Sequence, residues 1–224
     1  MTKETGTKRP HHHGNLREAL IVAGLDLMEQ GGADSLTLRK CAKRAGVSHA
    51  APAHHFNGMI SLQAAIVARG HRLFSQAMQQ ASAEAKAAGG DTPYDHLLAI
   101  CNGYISFARA HTAVFKFMFR PHDIDVEKLD ALTREELLRD SVASYQILRE
   151  ACAPFEHSPP ADASGTDAAT SASTNASTGT EIMVWSLVHG YAMLFCGPAK
   201  TPTPPHSIPD FSQILPKLEL QNRS

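Results

Sequence analysis

Residues 37–56, TLRKCAKRAGVSHAAPAHHF, constrain this chain more than any other stretch, because they read as two short helices joined by a tight glycine turn. Leu38, Cys41, Ala42 and Ala45 fall at the i, i+3, i+4 spacing of one amphipathic helix, with Arg39, Lys40, Lys43 and Arg44 on its other side. Gly46 can take a positive φ at a helix C-terminus, Val47 can plug the core, and Ser48 is a good N-cap, so a second helix is expected from His49. Ala42 leaves room for that helix to cross closely. The pattern is that of a helix-turn-helix, whose second helix projects side chains into a DNA major groove while nearby cations meet phosphates.

The rest of the chain also reads as helical, and the fold class expected is all-α: a three-helix head followed by a helical bundle. Leu16, Ala19, Leu20, Ala23 and Leu27 form the apolar stripe of a first helix ending at Gly31-Gly32, and Asp34 or Ser35 is placed to cap the second. A long alanine-rich helix from Ile60 to about Ala88 leads out of the head and stops at Gly89-Gly90. Thr92 to about His111 is a further helix, followed by an aromatic turn from Ala113 to Phe119 that Pro121 terminates. Val126 to Ala151 reads as another long helix. Glu181 to Phe195 is apolar nearly all round, which predicts burial on every side and, in a small subunit, a shared four-helix interface. Pro198 ends it, and an extended linker leads to a last apolar segment, Phe211 to Leu220.

Between Ser158 and Gly179, 15 of 22 residues are Ala, Ser or Thr, too little apolar bulk to bury, and a disordered insertion is expected there. No run approaches the roughly 18 apolar residues of a membrane span, and the first residues lack the apolar core of a signal peptide, so a soluble cytoplasmic protein with no membrane partner is expected. Four cysteines lie 44 to 60 positions apart, without the paired spacing of zinc or redox sites. The triplet His11 to His13 has no carboxylate or cysteine nearby and reads as a polar lead-in rather than a metal site. Net charge is −1, yet up to Ile60 there are eight Lys and Arg against five Asp and Glu, with six of the 13 histidines. A basic head on a neutral-to-acidic body suits DNA.

These residues resemble the TetR family of bacterial transcriptional regulators. The match runs from Asn15 to about Leu73 and rests on the Ala-Gly-Val-Ser turn followed by His-Phe at His55 and Phe56. One branch of that family carries a Trp-His-Gly motif in its ligand-binding region, which Trp185, His189 and Gly190 match, and a recognition segment like Gly46 to Pro52. HHGNLREAL, His12 to Leu20, also looks like that branch's entry into its first helix. The resemblance implies a homodimeric repressor that binds double-stranded operator DNA and releases it when a small hydrophobic effector enters the C-terminal domain, without a cofactor. The domains expected are a flexible arm 1–14, a DNA-binding domain 15–60 with its motif at 37–56, a ligand-binding and dimerisation domain 61–200, and a tail 201–224.

Thr37, Arg39, Lys40, Lys43, Arg44, Ser48, His49, Ala50, His54 and His55 are the candidates for DNA contact, His49, Ala50 and His54 at the bases or groove wall. His55 is placed either on DNA or against the first helix. Two family positions that commonly grip phosphate, a tyrosine and a lysine, are here Ala53 and Met59, which should weaken sequence-independent affinity. The N-terminal Lys8 and Arg9 are placed to add contacts. An interaction protein that keeps the fold but has lost operator binding is therefore the alternative. Tyr104, Phe107, Phe115, Phe119, Trp185, His189 and Met193 are the candidates for the effector site, with Phe117 and Met118 nearby, and about three of the aromatics and methionines are expected to touch ligand. No Gly-x-Ser-x-Gly elbow, Gly-rich phosphate loop or His-Glu-x-x-His pair frames a nucleophile, so no enzymatic activity is expected.

Overall fold

The computed structural model describes residues 16–120, 124–155, 179–197 and 208–216; among them there are helices and turns but no strand. The helices are α1 (Leu16–Gly31), α2 (Leu38–Ala45), α3 (Gly58–Ala87), α4 (Pro93–Ala110), α5 (Thr112–Phe119), α6 (Ala131–Cys152), α7 (Gly179–Phe195) and the short α8 (Phe211–Ile214). The N-terminal arm with its histidine triplet, Lys8 and Arg9, the insertion at 158–178, Pro121, Pro198 and the extended linker up to Ser207 lie outside the described residues, as do the last residues of the tail.

The second helix starts later than the capping residues suggest. Ala33–Ser35 forms a 3-10 turn, and the Ser35 hydroxyl lies 2.7 Å from the carbonyls of both Leu27 and Gly32, donating its one hydrogen to either. The Ser35 side chain is thus turned back toward the end of α1, and Thr37 becomes the N-cap of α2, its hydroxyl accepting from the Lys40 N–H at 3.2 Å. At the other end, Gly46 adopts φ 72 and ψ 29, and the Val47 N–H reaches back to the Ala42 carbonyl at 3.0 Å. Only a residue without Cβ takes this left-handed cap cheaply.

A second α-helix from His49 does not form. Ser48 to His55 winds as a tighter 3-10 segment (Ala51–His54), with Ala51, Ala53 and His55 each donating three residues back, at 3.1, 3.2 and 3.0 Å. Pro52 is the cause: it has no N–H to give to the Ser48 carbonyl, and it disfavours α-conformation in the residue before it. The long helix Val126 to Ala151 is likewise interrupted, a 3-10 turn at Val126–Lys128 preceding α6. Asp130 restarts the helix by accepting the Thr133 N–H at 2.9 Å. The aromatic stretch 113–119, expected as a turn, is helical as α5.

The 30-residue α3 is the spine of the molecule. Its first turns join α1 and α2 through buried Leu20, Cys41, Phe56, Leu62 and Ile66, and its later turns pack on α4 and α6 through Phe74 and Met78. Helix α4 crosses it at Gly103, where a Cβ would lie 2.6 Å from the Ala77 carbonyl oxygen and from the Met78 Cα. The capping box of Thr92 and Asp95 starts α4.

Helix α7 is not buried on every side. Val184, Val188, Tyr191 and Ala192 face α4 and α6 and are buried, whereas Ile182, Met183, Met193 and Leu194 are exposed, Leu194 at 61%. One face suffices to close the protomer, so the opposite apolar face is left over. On α6, Leu138 and Val142 are also exposed, Val142 at 59%.

Candidate nucleic-acid interface and interior cavity

Helix α2 places its cations by its own periodicity. Cys41 and Ala42 are fully buried against α1 and α3, so Arg39, Lys40, Lys43 and Arg44 are turned outward. Among the described residues Arg39, Lys40 and Lys43 form no ion pair. Arg44 differs: its guanidinium meets Asp26 at 3.1 Å and Gln30 Oε1 at 3.0 Å, both on α1. Such an exposed pair is worth little, and phosphate can compete for the arginine. Thr37, Ser48, His49, Ala50, Ala53 and His54 are exposed, His55 is half-buried, and Ala51, Pro52 and Phe56 face the core. The segment therefore presents His49, Ala50, Ala53 and His54 to solvent beside the α2 cations. Met59, at the family's lysine position, is half-buried and packs on the core.

Phe56 ties this surface to the body. The Arg17 guanidinium lies 5.4 Å above its ring and also bonds Glu136 at 2.6 Å and Thr133 at 3.1 Å, both on α6. Beside it the Ser61 hydroxyl of α3 donates to Asp130 at 2.9 Å. Two polar links thus fasten the start of α6 to the head. A third, between His111 at the start of α5 and Glu29 of α1, spans 3.3 Å.

Behind this junction, α3, α4, α5, α6 and α7 line a partly open cavity of about 170 Å³. Phe74, Tyr104, Phe119 and Trp185 form its aromatic walls, Met78 and Leu148 its aliphatic ones, and His71, Ser141, Ser144 and Tyr145 the remainder. Tyr104 and Phe119 are nearly parallel at 6.4 Å, and Tyr145 meets Trp185 edge-on at 5.7 Å. Of the sequence candidates, Tyr104, Phe119 and Trp185 line the cavity. Phe107 and Phe115 belong to the buried cluster around Phe74, together with nearby Phe117 and Met118. Met193 is 41% exposed, since it stands five residues, about 140° round the helix, from Val188 on the buried face of α7. His189 stands behind the wall, its Nδ1 hydrogen-bonded to the Tyr104 hydroxyl at 2.7 Å. Burial lowers the His189 pKa and raises that of Tyr104, an increase that the Trp185 indole partly offsets. The Trp-His spacing of four residues thus puts both side chains of the motif against one tyrosine.

Sequence periodicity missed His71, Ser141 and Ser144. His71 Nδ1 lies 2.8 Å from the Ser144 hydroxyl, which in turn donates to the Ser141 carbonyl at 2.9 Å. Burial lowers the His71 pKa to about 4, against the opposing pull of Asp140. The available signal was a histidine on α3 three residues before Phe74, on the side of the helix that meets α6. A larger cleft of about 660 Å³ runs between α1 and α5, but it opens to solvent past Glu29, Lys116 and Arg120 and does not enclose a ligand. Among the described residues no cluster of His, Cys, Asp and Glu is placed to hold a metal, and no helix is long and apolar enough to cross a membrane.

Comparison with known proteins agrees with this fold. Residues 20–66 match the model of bacterial regulatory proteins of the tetR family, and residues 97–206 match that of the tetracyclin repressor-like C-terminal domain, together about seven-tenths of the 224 residues. No curated protein sequence matches. A solved protein of unknown function from Rhodococcus sp. RHA1 is 26% identical, with a TM-score of 0.58 over 84% of this chain and 86% of that one. The TetR family transcriptional regulator PfmR from Thermus thermophilus shares the fold at 14% identity, with a TM-score of 0.50 over 80% of this chain and 85% of that one. A helix-turn-helix head and a helical body, each matched separately and in the expected order, place the chain in the TetR family of DNA-binding transcriptional regulators.

Proposed function

We propose that the chain is a homodimeric repressor, of the branch marked by Trp185, His189 and Gly190, that leaves its operator when a small molecule occupies the cavity beneath α3. The observation that carries this reading is that the helix walling the cavity, α3, also forms the floor of the helix-turn-helix, while α6, the opposite wall, is bonded to the head through Arg17 and Ser61. An effector that favours one packing of α3 against α6 thereby favours one head position. It shifts the population only by its difference in affinity for the two states.

The leftover apolar faces of α6 and α7 support dimerisation, because Leu138, Val142, Ile182, Met193 and Leu194 are all large apolar side chains left exposed on these two helices. A second copy offers the same face, and the pair forms a four-helix seam. Leu194→Glu is expected to yield a folded monomer in sedimentation at micromolar concentration, since the side chain is exposed in the protomer but a charge would be buried in the seam. An unchanged dimer would exclude this seam.

The decisive experiment is a mobility-shift assay with the promoter fragment upstream of its own gene, followed by a screen for compounds that release the complex. Leu148→Phe, which fills part of the cavity, should abolish release without lowering DNA affinity. Arg39→Ala and Lys43→Ala should each weaken binding to specific and unrelated DNA alike and reduce the salt slope by about one. Arg44→Ala should cost less, because that arginine must first leave Asp26. Met59→Lys should steepen the salt slope by about one without changing base preference, whereas His49→Ala should change which operator positions matter. The 3-10 form of the Pro52 segment favours one second reading, an interaction protein without operator binding; absence of any shift at low salt would establish it.

A further inference from the structure

The geometry points to the class of effector: a neutral, single-ring aromatic molecule with one hydrogen-bond donor, a phenol or aniline, its ring among Phe74, Tyr104, Phe119 and Trp185 and its donor on Nε2 of His71. This rests on the reading of that cavity as the effector site.

Size sets the first limit. The cavity holds about 170 Å³, close to the roughly 150 Å³ of an apolar protein cavity that accepts benzene. One six-membered ring with a small substituent fits that volume at the packing density of a protein interior, whereas a fused second ring would have to fill nearly all of it. Shape agrees, since the nearly parallel rings of Tyr104 and Phe119 and the edge-on rings of Phe74 and Trp185 offer both faces and edges to a flat guest. Charge sets the second limit. Every lining residue other than His71 is uncharged, and burial holds His71 neutral near pH 7, so an ionised guest would lose its hydration without a counter-charge.

The donor follows from the hydrogen bonds of His71. Ser144 has one hydroxyl hydrogen and lies within bonding distance of both the Ser141 carbonyl and His71 Nδ1. Both contacts are hydrogen bonds at once only when Ser144 donates to the carbonyl and His71 donates from Nδ1. A neutral imidazole protonated at Nδ1 carries a lone pair on Nε2. That nitrogen has no partner among the described residues and is not sealed from the cavity or solvent. Nε2 of His71 is then a hydrogen-bond acceptor in the cavity lining, which favours a guest with a donor.

The chain has one tryptophan, and it lines the cavity, so its fluorescence reports occupancy directly. The full chain would be titrated with phenol, toluene, benzoate and 1-naphthol. Phenol is expected to saturate the Trp185 signal and to bind about tenfold tighter than isosteric toluene, the effect of one well-made hydrogen bond. Benzoate and 1-naphthol should not saturate at concentrations where phenol does. His71→Phe should bring phenol down to the affinity of toluene while leaving toluene within a few-fold. Equal binding of phenol and toluene by the unaltered chain refutes the donor contact. No response to any ring refutes the class. Should a screened compound of another kind release the operator, and lose that effect in Leu148→Phe, the class is wrong and the cavity remains the effector site. Release that persists unchanged in Leu148→Phe, with thermal melting confirming the fold, removes the effector reading itself.

Discussion

Gly103→Ala is expected to destabilise the protein by about 3 kcal/mol, lowering the melting temperature by roughly 6 to 12 °C for a chain of this size. On an ordinary exposed helix the same change stabilises by about 1 kcal/mol, because alanine is the better helix former. The sign is reversed here by contact. The added Cβ would sit 2.6 Å from the Ala77 carbonyl oxygen and from the Met78 Cα, backbone atoms of α3 that move only if the whole helix moves. Moving α3 away from α4 would also widen the cavity between Met78 and Tyr104, so ring guests should bind more weakly to any fraction that folds. Thermal melts of both proteins in one buffer would check this. A variant as stable as the parent would mean that α3 and α4 cross less tightly than the structure has them.

Between pH 6.5 and about 4, His71 should remove about 3 kcal/mol of stability from the ligand-free protein. Its folded pKa is about 4, lowered by burial against the pull of Asp140. An unfolded histidine titrates near 6.5. Because the folded value is the lower one, the unfolded chain takes up the proton first as pH falls, so stability is full above about 6.5 and drains away toward 4. His189, also lowered by burial, acts in the same direction. Asp140 does not contribute in this window: burial would raise it, but the hydrogen bonds and charges of Arg139 and Arg72 keep it below the ordinary carboxylate value, so its loss comes at lower pH. Urea unfolding of the parent and of His71→Gln at pH 7, 5.5 and 4.5 isolates this contribution. The parent should lose stability faster, and parallel pH profiles would falsify the buried neutral state of His71.

The elements that the chain's own pattern specified were those whose cause is local. The Gly46 turn, the outward cations of α2, the end of α1 at Gly31 and the start of α4 at Thr92 depend on residues within a turn of one another. Periodicity alone was enough for α3, because thirty residues of apolar spacing leave little choice. Where local rules competed, the result changed. Ser35 had two helix ends to serve and turned back to that of α1, and Pro52 defeated the helix that Ser48 was placed to cap, because one missing N–H outweighs a favourable cap.

The cavity was only partly legible. Tyr104, Phe119 and Trp185 stand out as aromatics, but Phe107 and Phe115 stand out equally and are core. Which aromatic faces space and which faces a neighbour depends on the angle at which α4 and α5 cross α3, and side-chain type carries no record of that angle. Similarly, α7 is apolar all round, yet only its packing on α4 and α6 decides that Val188 is inside and Leu194 outside. His71, Ser141 and Ser144 were silent because no short-range spacing joins them: 73 residues separate His71 from Ser144, and only the folding of α6 along α3 brings their side chains to 2.8 Å. The helices follow from contacts between near neighbours in the chain, whereas the cavity follows from how those helices cross, which tertiary packing alone sets.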